Sequence, residues 1–175
     1  VEAATRAVSG GPSPEHVDFA AALLRSLPEK VREAAHDTFD SCALIYALML
    51  EKKDEAVRVE QLEIVQNAFG DQMAKTSDGL FEDVLALAPR AKLPVAELAV
   101  SSLRRLAQEQ YECFIDVLEA LAAADEQIDL FEYSLSKLVI RHLEPHFENA
   151  PQTVSQIYSL KRLLSLIHIS EPTRR

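Results

Sequence analysis

The stretch Gln110-Tyr-Glu-Cys-Phe-Ile-Asp-Val-Leu-Glu-Ala-Leu-Ala-Ala-Ala124 carries the clearest periodicity in the chain. From Tyr111, apolar residues recur at steps of three, four, seven, ten and eleven: Phe114, Ile115, Leu118, Leu121 and Ala122. One face of an α-helix demands that spacing, and a strand would demand alternation. Downstream, Asp125-Glu126-Gln127-Ile128 reads as a tight turn, with Asp129 as N-cap and Glu132 three residues on completing a capping box. The helix that follows places Phe131, Leu135, Leu138 and His142 inward, and Pro145 is expected to stop it. A last helix is expected from about Gln152 to Leu164.

Upstream the same grammar repeats. Val95, Leu98, Ala99 and Leu106 line one helix, and Pro89 and Pro94 bracket a short connection before it. Phe81, Leu85 and Ala88 suggest another, starting after a break at Ser77-Asp78-Gly79. Leu62, Val65 and Phe69 mark a third, closed near Gly70. A central helix from about Asp37 to Glu51 is apolar on most sides: Phe39, Cys42, Ala43, Tyr46 and Leu50 make one face, and Ile45, Leu48 and Met49 much of the other. Such a helix is buried on most sides. Lys52-Lys53-Asp54 is its polar exit. Pro28 begins a short helix through Ala35, and Ser13-Pro14-Glu15 opens an earlier one striped by Phe19, Leu23 and Leu27. No segment alternates with period two. The expectation is an all-α, orthogonal multi-helix bundle of eight or nine helices over residues 13–164, preceded by a linker at 1–12. The tail, Ser165 to Arg175, loses the helical stripe after Ile169 and resembles the translation of a sequencing adapter, so it is set apart as non-native.

Composition narrows the partners. The net charge is -10, or about -11 without the tail, which removes one Glu and two Arg. Such a chain is repelled by nucleic-acid phosphates and anionic lipid, so nucleic acid is set aside as a partner. The longest apolar run, Ala43 to Leu50, is eight residues, far below the roughly 20 a bilayer needs. The chain opens on Val1 rather than Met, which fits a fragment whose parent could carry a membrane segment elsewhere. Cys42 and Cys113, the only cysteines, have no CxxC spacing; they read as buried free thiols, with a single disulfide as the alternative.

Candidate chemistry is sparse. In His142-Leu-Glu-Pro-His146 the glutamate falls one place too late for an H-E-x-x-H zinc helix, and Pro145 interrupts the face both histidines must share. Asp125, Asp129 and Glu132 form too short a turn for an EF-hand, and Leu130 stands where that loop needs glycine. Capping is the simpler use of these acids, and a weak metal contact at the corner is the alternative. There is no Gly-x-Ser-x-Gly elbow, and with four glycines there is no phosphate-cradling loop. No catalytic, cofactor-binding or metal-ligating residue is therefore assigned.

Several phrases, in order, resemble the C-terminal region of bacterial membrane-anchored zinc metallopeptidases of the HtpX and CAAX-prenyl-protease type (metallopeptidase family 48). They include Pro14-Glu-His-Val-Asp-Phe-Ala-Ala-Ala-Leu-Leu24, Leu93-Pro-Val-Ala-Glu-Leu-Ala-Val100, Ala124-Asp-Glu-Gln-Ile-Asp-Leu-Phe-Glu132 and Arg141-His-Leu-Glu-Pro-His-Phe147. Asp125, Ile128, Asp129 and Glu132 also resemble the tellurite-resistance TerB-like helical domain. The resemblance implies a zinc-dependent parent protease whose H-E-x-x-H helix lies upstream, so zinc belongs to the parent and no family catalytic residue maps onto this chain. It implies a non-catalytic helical domain that binds or positions substrate, a partner protein or the protease domain, on the cytoplasmic side of the bacterial inner membrane. The alternative is a free-standing TerB-like interaction or stress-response module.

Overall fold

The computed structural model describes residues 26–124 and 130–147. These form seven helices and, among the described residues, no strand: α1 (Glu29–Ala34), α2 (Thr38–Met49), α3 (Glu55–Phe69), α4 (Asp71–Leu85), α5 (Pro89–Leu103), α6 (Gln108–Ala124) and α7 (Leu130–Phe147). The architecture is the all-α bundle expected. The linker, the helix from Ser13, the corner at 125–129, the helix from Gln152 and the 165–175 tail lie outside the described residues.

α2 is the centre. Asp37 has extended backbone (φ -96°, ψ 145°), and its carboxylate accepts from the N–H groups of Phe39 at 2.8 Å and Asp40 at 3.0 Å. That satisfies two of the donors a helix start leaves over. Every residue from Ser41 to Leu50 is buried, because α1, α4, α5 and α6 all pack around the helix. α3 packs on α4 and α6, and α7 on α5 and α6. Polar groups at the α1–α2 corner are paired. Ser41 Oγ donates to Ala34 O at 3.0 Å, Ser102 Oγ to Ala35 O at 2.9 Å, and Arg105 Nη2 to His36 O at 2.8 Å. The carbonyls left at the end of α1 thus anchor the end of α5. Phe39, expected on the inner face of α2, is 40% exposed in the first turn.

Three local breakers yield to tertiary packing. α4 runs unbroken through Ser77-Asp78-Gly79, where a break was expected. Met73, Ser77, Leu80, Phe81 and Val84 form its buried stripe, and Ser77 Oγ donates to Met73 O at 2.9 Å, so the serine costs the core no unpaired group. Leu85 ends the helix 41% exposed. Pro94 lies inside α5 rather than in a connection, with Pro89 at its start. The acceptor that Pro94 leaves unserved, four residues back, belongs to exposed Arg90 in the first turn. Leu106 falls beyond the end of α5. Pro145 does not stop α7, which continues to Phe147. That last turn carries Phe147 to 6% exposure and a stack on Tyr111 with ring centroids 4.1 Å apart. His142, expected inward, is exposed.

Glycine has opposite meanings at two positions. Gly70 (φ +86°) joins α3 to α4 without a loop, a conformation costly for other residues, and its N–H donates to Gln66 O at 2.8 Å. Gly79 sits mid-helix, and nothing lies within 4 Å of where a Cβ would be. Gly79→Ala is therefore expected to raise stability by about 0.5–1 kcal/mol. Urea unfolding checks this, and a midpoint that fails to rise contradicts the open helical setting.

Candidate functional site

Among the described residues, those singled out by spacing do not converge. His142 and His146 occupy one exposed edge of α7; His142 Nδ1 is 2.8 Å from Leu138 O, and the His146 ring meets Phe147 edge-on at 5.0 Å. Among the described residues no group of three His, Cys, Asp or Glu side chains stands together to hold a metal ion. Of the acidic corner, Asp125 and Asp129 lie outside the described residues; Glu132 is described and is 5% exposed in the first turn of α7. Phe131, expected inward, is half-buried with the ammonium groups of Lys52 and Lys92 at 5.5 and 5.8 Å from its ring centroid, a cation–π setting.

Cys42 is buried as expected, Cys113 only half-buried, and no disulfide joins them. Burial, and then the nearby Asp37 carboxylate, push the Cys42 thiol up to about 12 from its ordinary 9.0. One turn along, burial also pushes the Tyr46 phenol well above its ordinary 10.0. Tyr46 lies between Phe69 and Phe114, with centroids 6.0 and 5.4 Å away, and its hydroxyl donates to Phe114 O at 3.5 Å. Both groups fold in their neutral forms. Their contribution to stability is thus complete below the unfolded-state values of 9.0 and 10.0 and is lost as pH rises above them. Urea midpoints measured from about pH 8 to about pH 11 are expected to fall progressively, and a level profile would contradict the burial of these two groups.

Among the described residues, a groove lies between α6 and α7. Tyr111, near the start of α6, stacks on Phe147 at the end of α7, so the two helices run antiparallel. Towards the other end they present small residues, Ala122 on α6 and Ser136 on α7, where larger side chains would close the seam. The result is a cavity of about 260 Å³ lined by Glu119, Ala122, Glu132, Tyr133, Ser136, Lys137 and Ile140. Its wall is braced from within: Ser136 Oγ donates to Glu132 O at 2.9 Å and lies 4.0 Å from the sulfur of core Met49. Tyr133 is 54% exposed beneath the Lys137 ammonium, which is 5.6 Å from its ring centroid, and Leu130 at the same end of α7 is 77% exposed. Of the lining residues, periodicity marks Ala122 as part of an inward stripe and capping marks Glu132, while Glu119, Tyr133, Ser136, Lys137 and Ile140 fall outside both patterns.

A second groove of about 300 Å³, between α1, α2 and α4, is lined by Lys30, Glu33, Ala34, Asp40, Thr76, Gly79 and Leu80. Its rim is polar, and Lys30 pairs with Asp83 at 3.7 Å beside it. Burial, with Asp37 nearby, holds the Asp40 carboxyl above its ordinary value. No helix among the described residues is long and apolar enough to cross a membrane.

Comparison with family models, with curated proteins and with solved structures finds no match to this chain.

Proposed function

We propose that this chain is a non-catalytic helical domain that binds or positions another protein, and that it forms the C-terminal domain of a membrane-anchored zinc metalloendopeptidase. The observation that carries the binding reading is the apolar groove between α6 and α7, beside Tyr133 and Leu130, two large side chains left in water. Contiguous exposed apolar surface of this kind marks interaction sites more often than isolated exposed residues do. The parent is supported by the ordered phrases from Pro14 to Phe147 that resemble that family's C-terminal region. In the parent, zinc chemistry would reside in the upstream protease domain, and this domain would present or hold a protein segment for it.

Two measurements test the reading. The isolated chain, incubated with an unfolded protein substrate and zinc, is expected to cut nothing; proteolysis abolished by a chelator would overturn the non-catalytic role. The coding sequence upstream of Val1 is expected to hold an H-E-x-x-H motif and apolar spans. A start codon close to Val1 would overturn the parent in favour of a free-standing TerB-like module.

A further inference from the structure

The chemistry around the α6–α7 groove narrows the partner. Glu109, Glu112, Asp116 and Glu119 follow one another along α6 at steps of three, four and three, and all four are exposed. That spacing makes one continuous acidic face. Among the described residues no ion pair joins any of the four to a basic side chain. Glu119 lies at both places, in the acidic face and in the lining of the groove. The opposite wall, on α7, is Glu132, Tyr133, Ser136, Lys137 and Ile140, and its one cation, Lys137, lies over the Tyr133 ring rather than against the acidic face.

We propose that the groove seats an amphipathic helix from a partner protein, with apolar anchors entering between Ala122, Tyr133 and Ile140 and with lysine or arginine along the edge facing α6. This inference rests on the protein-binding reading above and gives it a partner class. Two antiparallel helices form a trough along which a third can lie, setting anchors one helical turn apart into it. A cavity of about 260 Å³ suits one or two side-chain anchors. The acidic face supplies charge complementarity. A second copy of this chain is disfavoured as occupant, since at net charge -10 it would bring like charge to the same surface. Nucleic acid is disfavoured for the same reason, and a simple cation has no use for the apolar wall.

The chain contains no tryptophan, so a single Trp anchor in a synthetic helical peptide reports its own surroundings. Two peptides are compared with the full chain: one with Leu anchors and a lysine edge, and a twin with glutamate for each lysine. The lysine peptide is expected to bind with a blue shift of its Trp emission, to weaken as salt rises, and to bind at least about tenfold tighter than its twin. Glu112→Gln, Asp116→Asn and Glu119→Gln together are expected to lower affinity by at least about tenfold. Ala122→Phe, which fills the groove, and Tyr133→Ser, at an exposed position that folding tolerates, are each expected to reduce the blue shift. Equal binding of the two peptides, with the shift lost in the groove variants, overturns the basic partner but leaves the groove as a protein-binding surface. A blue shift that neither groove variant alters, or no binding of either peptide, overturns the groove as the seat as well.

Discussion

Phe114→Ala is expected to destabilise the chain by about 3–5 kcal/mol, a large share of the roughly 5–15 kcal/mol that holds a typical domain folded. Phe114 is fully buried, at 0% exposure, where α6 meets the central helix. Its ring lies 5.4 Å from that of Tyr46, tilted by 31°. Truncation removes the transfer energy of the ring and leaves a hole that neighbours from two helices cannot close without moving backbone. It also strips Tyr46 of one aromatic neighbour while Phe69 remains. Phe39→Ala is the internal control: that ring is 40% exposed in the first turn of α2, and its loss is expected to cost below about 1.5 kcal/mol. Urea unfolding of both variants decides the matter. Equal losses, or a loss at Phe114 as small as that expected at Phe39, would mean that α6 does not pack on α2 as described.

Gln61→Leu is expected to cost about 3 kcal/mol although it conserves volume and adds apolar surface. Gln61 is fully buried in α3, and its amide is used from both ends. Its Oε1 accepts from Glu51 N–H at 2.7 Å. Its Nε2 donates to Met49 O at 3.2 Å and to Leu121 O at 3.3 Å. One side chain thus caps the C-terminal end of α2, where a helix leaves carbonyls unserved, and ties it to α6. Leucine leaves three backbone groups without these partners, at about 1–3 kcal/mol for each that stays dry. Glu51 is half-buried, so part of its loss is recovered by water. If Gln61→Leu is instead neutral or stabilising in urea unfolding, the three-way tie is not a structural member of the core.

The helices with the strongest periodicity were legible from the residues alone. The Gln110–Ala124 stripe became α6, and the omnidirectional apolar character of residues 41–50 became the central, fully buried α2. Gly70 closed α3 as its backbone freedom suggests. Breakers were less legible, because their cost is local and their compensation is not. Ser77 is part of the continuous buried stripe of its helix, which also carries Gly79, and Pro145 is tolerated two residues short of Phe147 in the Tyr111–Phe147 stack. Gln61 was invisible to a search for apolar periodicity, since what makes it a core residue is three hydrogen bonds across three helices. The acidic face of α6 could be read from spacing. That it borders a groove could not, because the groove arises from two small residues, Ala122 and Ser136, far apart in sequence on facing helices.

Where a partner helix sits can be mapped by titrating the lysine-edged peptide into the 15N-labelled full chain and following amide chemical shifts. The largest changes are expected at Glu119, Ala122, Tyr133 and Ile140, with Lys30, Thr76 and Gly79 in the α1–α2–α4 groove unmoved. Changes centred on that second groove, or spread evenly over acidic residues of every helix with none at Tyr133, would contradict a docking surface between α6 and α7.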